Sequence, residues 1–158
     1  MSARAPRNPA FAETVRTSFA AQAFMATLGA TLGRVEAGEV ELELPYSAAL
    51  LQQHGYLHAG AVTAVLDSAC GYAAYTLMAV EQEVLTTEFS VHLLEPAAGE
   101  RFRATGRVVR AGRTLTVCDG VFVNVDAPER PLATMTSTLI AVSGSSGGTA
   151  VARSAATS

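Results

Sequence analysis

One acidic side chain stands alone in a long uncharged part of the sequence. Between Leu44 and Val80 the only formally charged residue is Asp67, which is flanked by Leu66 and Ala69. A carboxylate in apolar surroundings costs several kcal/mol unless it is protonated or hydrogen-bonded. Acid–base or nucleophilic chemistry is the leading reason to keep such a residue. The alternative is a structural aspartate that accepts hydrogen bonds from Thr63 or from amides of a neighbouring strand.

The residues that would surround Asp67 on a helix are all small. Positions three, four and seven away lie on the same helical face. Those positions hold Gly60, Thr63, Ala64, Cys70, Gly71 and Ala74. This face therefore leaves room for another backbone, or for a substrate, to approach the carboxylate closely.

A second candidate for chemistry precedes Asp67, in the segment QQHGYLHAG that starts at Gln52. Gly55 allows a tight turn, and the apolar run from His58 onward predicts a helix start. The first amides of a helix lack intrahelical acceptors and carry the positive end of the helix dipole. The amides of Ala59 and Gly60 could therefore stabilise the oxyanion that forms when a carbonyl group is attacked.

The helix start and Asp67 are too far apart to act on one carbonyl within one chain. At about 1.5 Å per residue the separation is ~10–12 Å. If both groups serve one site, they come from different subunits. The sequence therefore predicts that oligomerisation and activity depend on each other.

The elements that must position these groups follow from the hydrophobic pattern. Apolar residues at helical spacing predict an N-terminal helix, uninterrupted apolar character predicts a buried helix, and alternation between apolar and polar residues predicts strands. In chain order the predicted elements are a helix over Ala10 to about Met25, strands at Ala30–Glu36 and Val40–Leu44, a helix from His58 to about Met78, and strands at Val84–Leu94, Phe102–Arg110, Leu115–Val125 and Leu132–Val142.

This order predicts an α+β fold of the hot-dog type: one long central helix wrapped by a curved antiparallel sheet, with an extra N-terminal helix. We assign residues 1–9 to a loose N-terminus, residues 10–143 to one domain, and residues 144–158 to a disordered tail. The tail is rich in Ser, Gly and Ala.

Composition narrows the possible partners. The chain is 49% hydrophobic and 16% charged, yet it has no apolar run of the ~18 residues that a membrane span needs. The excess apolar surface predicts burial between subunits. A net charge of −3 gives no basic field for nucleic acid.

Two features predict a cytoplasmic location. Glu13 and Arg16 interrupt the apolar segment that a secretory signal would need. The two cysteines lack CxxC spacing, which predicts reduced residues in the core.

The stretch QQHGYLHAGAVTAVLDSACGYAA, followed by VLTTEFSVHLLEPAAGERFRATGRVVRAGRTL, resembles the PaaI-type hot-dog thioesterases over roughly Pro45 to Val142. The motif is a His-Gly-Gly-like helix start with an acid seven residues after its final glycine. This chain has Ala59 in place of the first glycine, which leaves an amide but adds a Cβ near the thioester.

The resemblance implies a role for each matching residue. Asp67 would be the general base or nucleophile, and the Ala59 amide, with Gly60 alongside, would bind the thioester oxygen. Gln52, with Gln53 as its neighbour, would orient the water or the carbonyl. Thr86, or less well Thr87, would help to position water. His58 is the histidine of the helix-start motif.

Several weaker signals remain. Arg110 and Arg113 flank the Gly112 turn and could bind the nucleotide phosphates of CoA, whereas the outer face of a strand is the simpler interpretation for Arg101, Arg103 and Arg107. His54 and His58 are four residues apart, but Gly55 argues against one helix carrying both, and no third ligand is near. We therefore predict no metal and no cofactor.

Other side chains leave alternatives open. Cys70 lies one helical turn after Asp67 and could be imagined as a nucleophile, but it has no placed base, so core packing is the simpler interpretation. Tyr72 and Tyr75 either fill the interface between helix and sheet or line an acyl pocket.

Together these observations predict an acyl-CoA thioesterase that works as a homodimer or as a dimer of dimers, a homotetramer. A non-catalytic acyl-CoA-binding protein of the same fold is the alternative from another class. A hot-dog hydratase or dehydratase is a minor third possibility, because His58 and Asp67 do not form the pattern that it needs.

Overall fold

The computed structural model describes residues 5–144, which form three α-helices, one short 3-10 helix and six strands. Within that range no helix is both long enough and apolar enough to cross a membrane. The elements are α1 (Phe11–Ala20), α2 (Ala23–Leu28), β1 (Thr31–Glu36), β2 (Glu39–Pro45), a 3-10 turn (Ala48–Leu50), α3 (Ala59–Tyr75), β3 (Gln82–Leu93), β4 (Arg101–Ala111), β5 (Leu115–Asn124) and β6 (Pro131–Ser143).

The six strands form one antiparallel sheet in the order β1-β2-β4-β5-β6-β3. Helix α3 packs against five of these strands, β2, β4, β5, β6 and β3. All the predicted strands are present. The predicted arrangement of a central helix on a curved antiparallel sheet is therefore confirmed.

The predicted N-terminal helix is present, but it ends at Ala20 and not near Met25, because the chain bends between α1 and α2. The amide of Ala21 donates to Ser18 and that of Gln22 to Phe19, which tightens the last turn of α1, and Gln22 is extended (ψ 94°). After the bend Met25 is buried, whereas Phe24 is 56% exposed. The spacing of the phenylalanines continued through the bend and concealed it.

The outer faces of β2 and β4 carry complementary charges. Glu39 is the register partner of Arg107, and Glu43 that of Arg103. The Arg107 guanidinium lies 2.6 Å from Glu39, while Arg103 lies 3.7 Å from Glu43. Arg101 lies 3.7 Å from Asp126. The three arginines that the sequence assigned to an outer strand face thus have carboxylate partners.

Two glycines in the sheet allow α3 to lie directly on it. A Cβ added at Gly106 of β4 would lie 2.3 Å from the carbonyl carbon of Ala69, and one at Gly120 of β5 would lie 2.9 Å from the Cys70 sulfur. Since the obstacle at Gly106 is helix backbone, no side-chain rotation relieves it. This contact sets the distance between helix and sheet, and thereby the position of Asp67 over the sheet.

We expect Gly106→Ala to lower the free energy of unfolding by about 3 kcal/mol, near the upper end for overpacking. This corresponds to a Tm lower by about 10 °C. The control is Gly71→Ala, whose added Cβ would meet only Leu139, at an ordinary 3.7 Å. Its better helix propensity should leave stability equal or higher. An unchanged Tm for Gly106→Ala would contradict the close contact.

The start of the described chain is attached to the domain. Asn8 is buried, and its side chain donates to Thr14 and accepts from the Ala10 amide. Arg7 donates from Nε to the carbonyl of Leu77, just after α3 (3.1 Å). The assigned boundaries at residues 9 and 143 stay a prediction, since positions 1–4 and nearly all of the tail, 145–158, lie outside the described residues.

Candidate active site

Helix α3 begins at Ala59 with its capping histidine in place. His58 is extended (φ −63°, ψ 137°), and its Nδ1 accepts the Gly60 N–H at 2.9 Å. The Ala61 and Val62 amides donate to the His58 carbonyl. Within residues 5–144 the Ala59 N–H has no acceptor. Of the two amides expected to hold an oxyanion, that of Gly60 is thus already bonded and that of Ala59 is available.

A tight turn presents Gln52 beside that amide. The Gln52 N–H donates to the Tyr56 carbonyl (2.9 Å), the Gly55 N–H donates back to the Gln52 carbonyl (3.1 Å), and Gly55 has φ +83°. The Gln52 side-chain oxygen accepts the His54 N–H. With its oxygen engaged, Gln52 can offer its side-chain NH₂ to a carbonyl. Gln53 is exposed, and its side chain contacts His54 instead.

A cleft of about 450 Å³ opens at this end of α3. Its walls are mainly apolar and come from the helix start, the end of β3 and the loop that follows β3. The lining residues are Gln52, Tyr56, Leu57, Ala59, Val62, Leu93, Leu94, Glu95, Pro96, Ala97 and Leu132. The cleft therefore offers an acyl group or a thioester arm an apolar wall, with hydrogen-bond donors from Gln52 and the Ala59 amide.

Asp67 lies near the middle of α3, where the helix meets the edge strand β3. The Thr86 hydroxyl donates to Asp67 Oδ1 at 2.8 Å. Burial raises the pKa of Asp67 above its ordinary value, and the hydrogen bond from Thr86 lowers it. The carboxylate is half-buried. It is thus desolvated enough to be a stronger base than an exposed aspartate, yet it stays accessible from the edge of the sheet.

A β-bulge in β3 directly follows the threonine that contacts Asp67. Thr86 is the register partner of Leu139 and Glu88 that of Thr138, so Thr87 is the extra residue. Its hydroxyl donates to the Thr138 carbonyl at 2.9 Å. Of the two threonines considered for positioning water, Thr86 contacts the carboxylate and Thr87 holds the bulge.

The bulge also changes which later residues face the helix side of the sheet. After it, Phe89, Val91 and Leu93 are register partners of Ser137, Met135 and Ala133, all of which are buried. Phe89 and Leu93 are nevertheless 45% and 52% exposed. The inner side of the edge strand therefore presents an apolar surface next to Asp67 that the chain itself leaves uncovered.

The predicted site residues thus fall into two groups. Gln52 and Ala59 line the cleft at the helix start, whereas Asp67 and Thr86 form a pair farther along α3. Arg113 lies in neither group, since it lines a separate cavity near the end of α3. Arg110 is exposed and is the register partner of Val117. No single protomer brings the helix start and the acid together.

The remaining side chains near Asp67 belong to the core. Cys70 is fully buried and free, and burial raises the pKa of its thiol to about 12, so it is not a ready nucleophile. Tyr72 packs edge-on against Phe19 of α1, with ring centroids 5.8 Å apart, and Tyr75 lies beside it. Both tyrosines thus fill an interface around α3, and neither lines the cleft.

Sequence reasoning missed the far wall of the cleft. Leu94 and Glu95 follow β3, and both amides donate to the Leu132 carbonyl. Glu95 is held by Arg130 through two contacts, of 2.9 and 3.0 Å. The paired leucines at the end of a strand were a visible signal, but the alternation pattern did not show that this strand end meets the helix start.

Comparison with known proteins agrees with this architecture. The sequence pattern of the thioesterase superfamily matches residues 54–129, which include the helix start, Asp67 and Thr86. A thioesterase family protein from Silicibacter pomeroyi is 55% identical to this chain in sequence, and its crystal structure matches with a TM-score of 0.82. The match covers 85% of this chain and 99% of that one.

Two further relatives are more distant. The proofreading thioesterase EntH of Klebsiella pneumoniae is 32% identical over 89 residues, which are 56% of this chain and 65% of EntH. The chain thus spans slightly less than two thirds of the curated relatives that it matches. The E. coli PaaI protein from the phenylacetic acid degradation operon is 19% identical to this chain, and its structure matches with a TM-score of 0.79. The match covers 88% of this chain and 98% of PaaI. That likeness shows the same hot-dog fold.

Proposed function

This chain belongs to the thioesterase superfamily, and on that premise we propose that it hydrolyses acyl-CoA thioesters to a free acid and CoA. The observation that carries the proposal is the Asp67 carboxylate. It is half-buried, its pKa is raised by burial, and Thr86 holds it at the edge of the sheet beside an uncovered apolar surface. Such a group suits a general base or a nucleophile better than a structural role.

In the proposed reaction, ionised Asp67 removes a proton from a water molecule that attacks the thioester carbon. Alternatively, Asp67 attacks that carbon directly to give an anhydride, which water then hydrolyses. The negative charge that develops on the carbonyl oxygen is stabilised by the Ala59 N–H at the start of α3 and by the NH₂ of Gln52. CoA leaves as a thiolate, which needs no strong general acid.

We propose that the complete site forms between two protomers paired through β3. Among residues 5–144, β3 pairs only with β6, and its free edge spans 12 residues. Long open edges with exposed apolar side chains are protected in folded proteins, commonly by pairing with another chain. A two-fold axis makes such a contact isologous, so that each β3 would run antiparallel to its copy.

The proposed pairing brings the two halves of the site together. An axis near Phe89 would set Thr86 beside Leu93 of the partner subunit. Because Leu93 lines the cleft at the helix start, Asp67 of one protomer would reach the Ala59 amide of the other. Two equivalent sites per dimer follow. The association of two dimers into a tetramer and the cytoplasmic location stay predictions from the sequence.

We expect Phe89→Lys to convert the dimer to a monomer and to reduce turnover to near the background rate. Phe89 is 45% exposed in the protomer, so lysine has room there, but pairing would bring two like charges together across the axis. Light scattering after size-exclusion chromatography gives the mass, and circular dichroism checks the fold. Ala26→Lys, at an exposed position of α2 and not on β3, is the control for a new positive charge. A folded and fully active Phe89→Lys monomer would contradict the shared site.

A thiol-release assay on the wild-type protein tests the activity itself. The panel contains short-chain, long-chain and aromatic acyl-CoA esters, since the cleft wall shows apolar groups and no unpaired charge that would select a charged acyl group. Turnover of at least one class supports the proposal. Tight binding of CoA esters without turnover of any class would identify a binding protein instead.

A further inference from the structure

The arginines of this protein fall into two groups: those that form an ion pair with a carboxylate and those that do not. All fourteen acidic residues and nine of the eleven arginines lie within residues 5–144. Five of those nine arginines form ion pairs: Arg34, Arg101, Arg103, Arg107 and Arg130. The other four, Arg7, Arg16, Arg110 and Arg113, have no carboxylate partner in that part of the chain. In a protein of net charge −3, unbalanced arginines that lie together point to an anionic ligand.

Two of these four arginines line one cavity. Arg113, from the turn between β4 and β5, and Arg7, from the N-terminal segment, line a space of about 380 Å³ beside the end of α3. Ala74, Met78 and Thr116 are also among the residues that line the cavity. Because Arg7 is bonded to the Leu77 carbonyl through Nε, its two terminal amino groups remain for a ligand. Guanidinium groups of this kind bind phosphates through paired hydrogen bonds.

The cavity lies at a suitable distance from the reacting group. Its lining residue Ala74 comes seven positions after Asp67 on the same helix, which is roughly 10 Å at the rise of a helix. The pantetheine arm of CoA has about 13 bonds between sulfur and phosphorus. At the advance per bond of an extended peptide chain, these bonds span about 15 Å. A thioester held at Asp67 can therefore place its phosphates at this cavity.

We propose that Arg7 and Arg113 form the subsite for the nucleotide phosphates of the CoA ester. This inference rests on the proposed thioesterase function and adds a residue, Arg7, that the sequence did not suggest. It also assigns the phosphates to Arg113 and not to Arg110. The register of β4 places Arg110 on the face of the sheet opposite Ala111, which lines the cavity. Arg110 is therefore excluded from the subsite.

The test compares two substrates with the same acyl group, its CoA ester and its N-acetylcysteamine ester, which lacks the nucleotide. Arg113→Ala and the double variant with Arg7→Ala should raise KM for the CoA ester, by about tenfold or more in the double variant. The values of kcat and the rates with the short ester should stay the same. Arg110→Ala, which removes a neighbouring unpaired arginine, is the matched control and should change KM less than about twofold.

A binding experiment separates this proposal from the activity itself. Adenosine 3′,5′-bisphosphate should bind the wild type and the Asp67→Asn variant equally, and binding should weaken about tenfold in Arg113→Ala, which keeps the bond between Arg7 and Leu77. This readout holds even if the protein hydrolyses no thioester. Equal KM changes for Arg110→Ala and Arg113→Ala would indicate a general charge effect and overturn the subsite. Unchanged CoA-ester KM and bisphosphate binding in Arg113→Ala would also overturn it.

Discussion

Asp67→Asn is expected to reduce kcat/KM for the best acyl-CoA substrate by at least about 10²-fold, the low end for acid–base catalysis. Asparagine keeps the size of the side chain and can still accept the Thr86 hydroxyl, but it can neither remove a proton from water nor form an anhydride. Steady-state thiol release gives the rate, and light scattering checks that the dimer persists. Ser68→Ala, the next residue on the same helix, is the control and should retain most of the activity.

Stability separates a catalytic Asp67 from a structural one. Burial raises its pKa in the folded state, so protonation favours folding. The corresponding stabilisation is complete below the unfolded pKa and is lost as the pH rises through the folded pKa. At neutral pH Asp67→Asn removes a half-buried charge and should leave Tm unchanged or higher. A large fall in Tm together with full activity would indicate a structural aspartate.

Removal of the Thr86 hydroxyl should change the pH dependence of the reaction. Since the Thr86 hydrogen bond lowers the pKa of Asp67, Thr86→Val should raise it. The acidic limb of the kcat/KM profile should then move to higher pH. If the acidic limb does not move in Thr86→Val, that limb reports the titration of a group other than Asp67.

Ala59→Pro is expected to lower kcat by about 10²–10³-fold, the usual effect of removing one oxyanion donor. Proline deletes the N–H, but it is well tolerated as the first residue of a helix. The preceding His58, at φ −63° and ψ 137°, already has the conformation that proline requires of its neighbour. Ala59→Gly, which keeps the amide, should lose less than about tenfold. Equal activities of the proline and glycine variants would remove the Ala59 amide from the mechanism.

Combining the two inactive variants tests the shared site directly. If Asp67 of one protomer serves the helix start of the other, a heterodimer of Asp67→Asn and Ala59→Pro contains one site with both lesions and one intact site. Heterodimers purified through two different affinity tags should recover up to roughly half of the wild-type activity. No recovery in a stable heterodimer would show that each site lies within one protomer.

Much of the fold could be predicted because the pattern that specifies it is local. Alternation of apolar and polar residues located every strand, and the uncharged apolar run located α3. The bend at Gln22 was not predicted, because the phenylalanines keep one continuous helical spacing across both short helices. Which of two adjacent amides stays free could not be predicted either, since it depends on the rotamer of His58.

The site was predicted in parts more readily than as a whole. Asp67 was visible as a lone charge, whereas Thr86 followed only from the family resemblance. The subsite with Arg7 was not foreseen, because 106 positions separate Arg7 from Arg113. Contacts over such separations depend on how the N-terminal segment docks against the end of α3, and no local pattern encodes that docking.

The extra residue in β3 limits how this edge of the protein can change. Without the bulge, simple alternation that ran through Thr87 would force the strand to choose between two uses. Either Thr86 keeps its aspartate and the three apolar side chains beyond it turn outward, or those side chains keep their orientation and Asp67 loses its hydroxyl partner. Attempts to graft this edge onto another scaffold, or to align it with distant homologues, should therefore count positions separately on each side of residue 87.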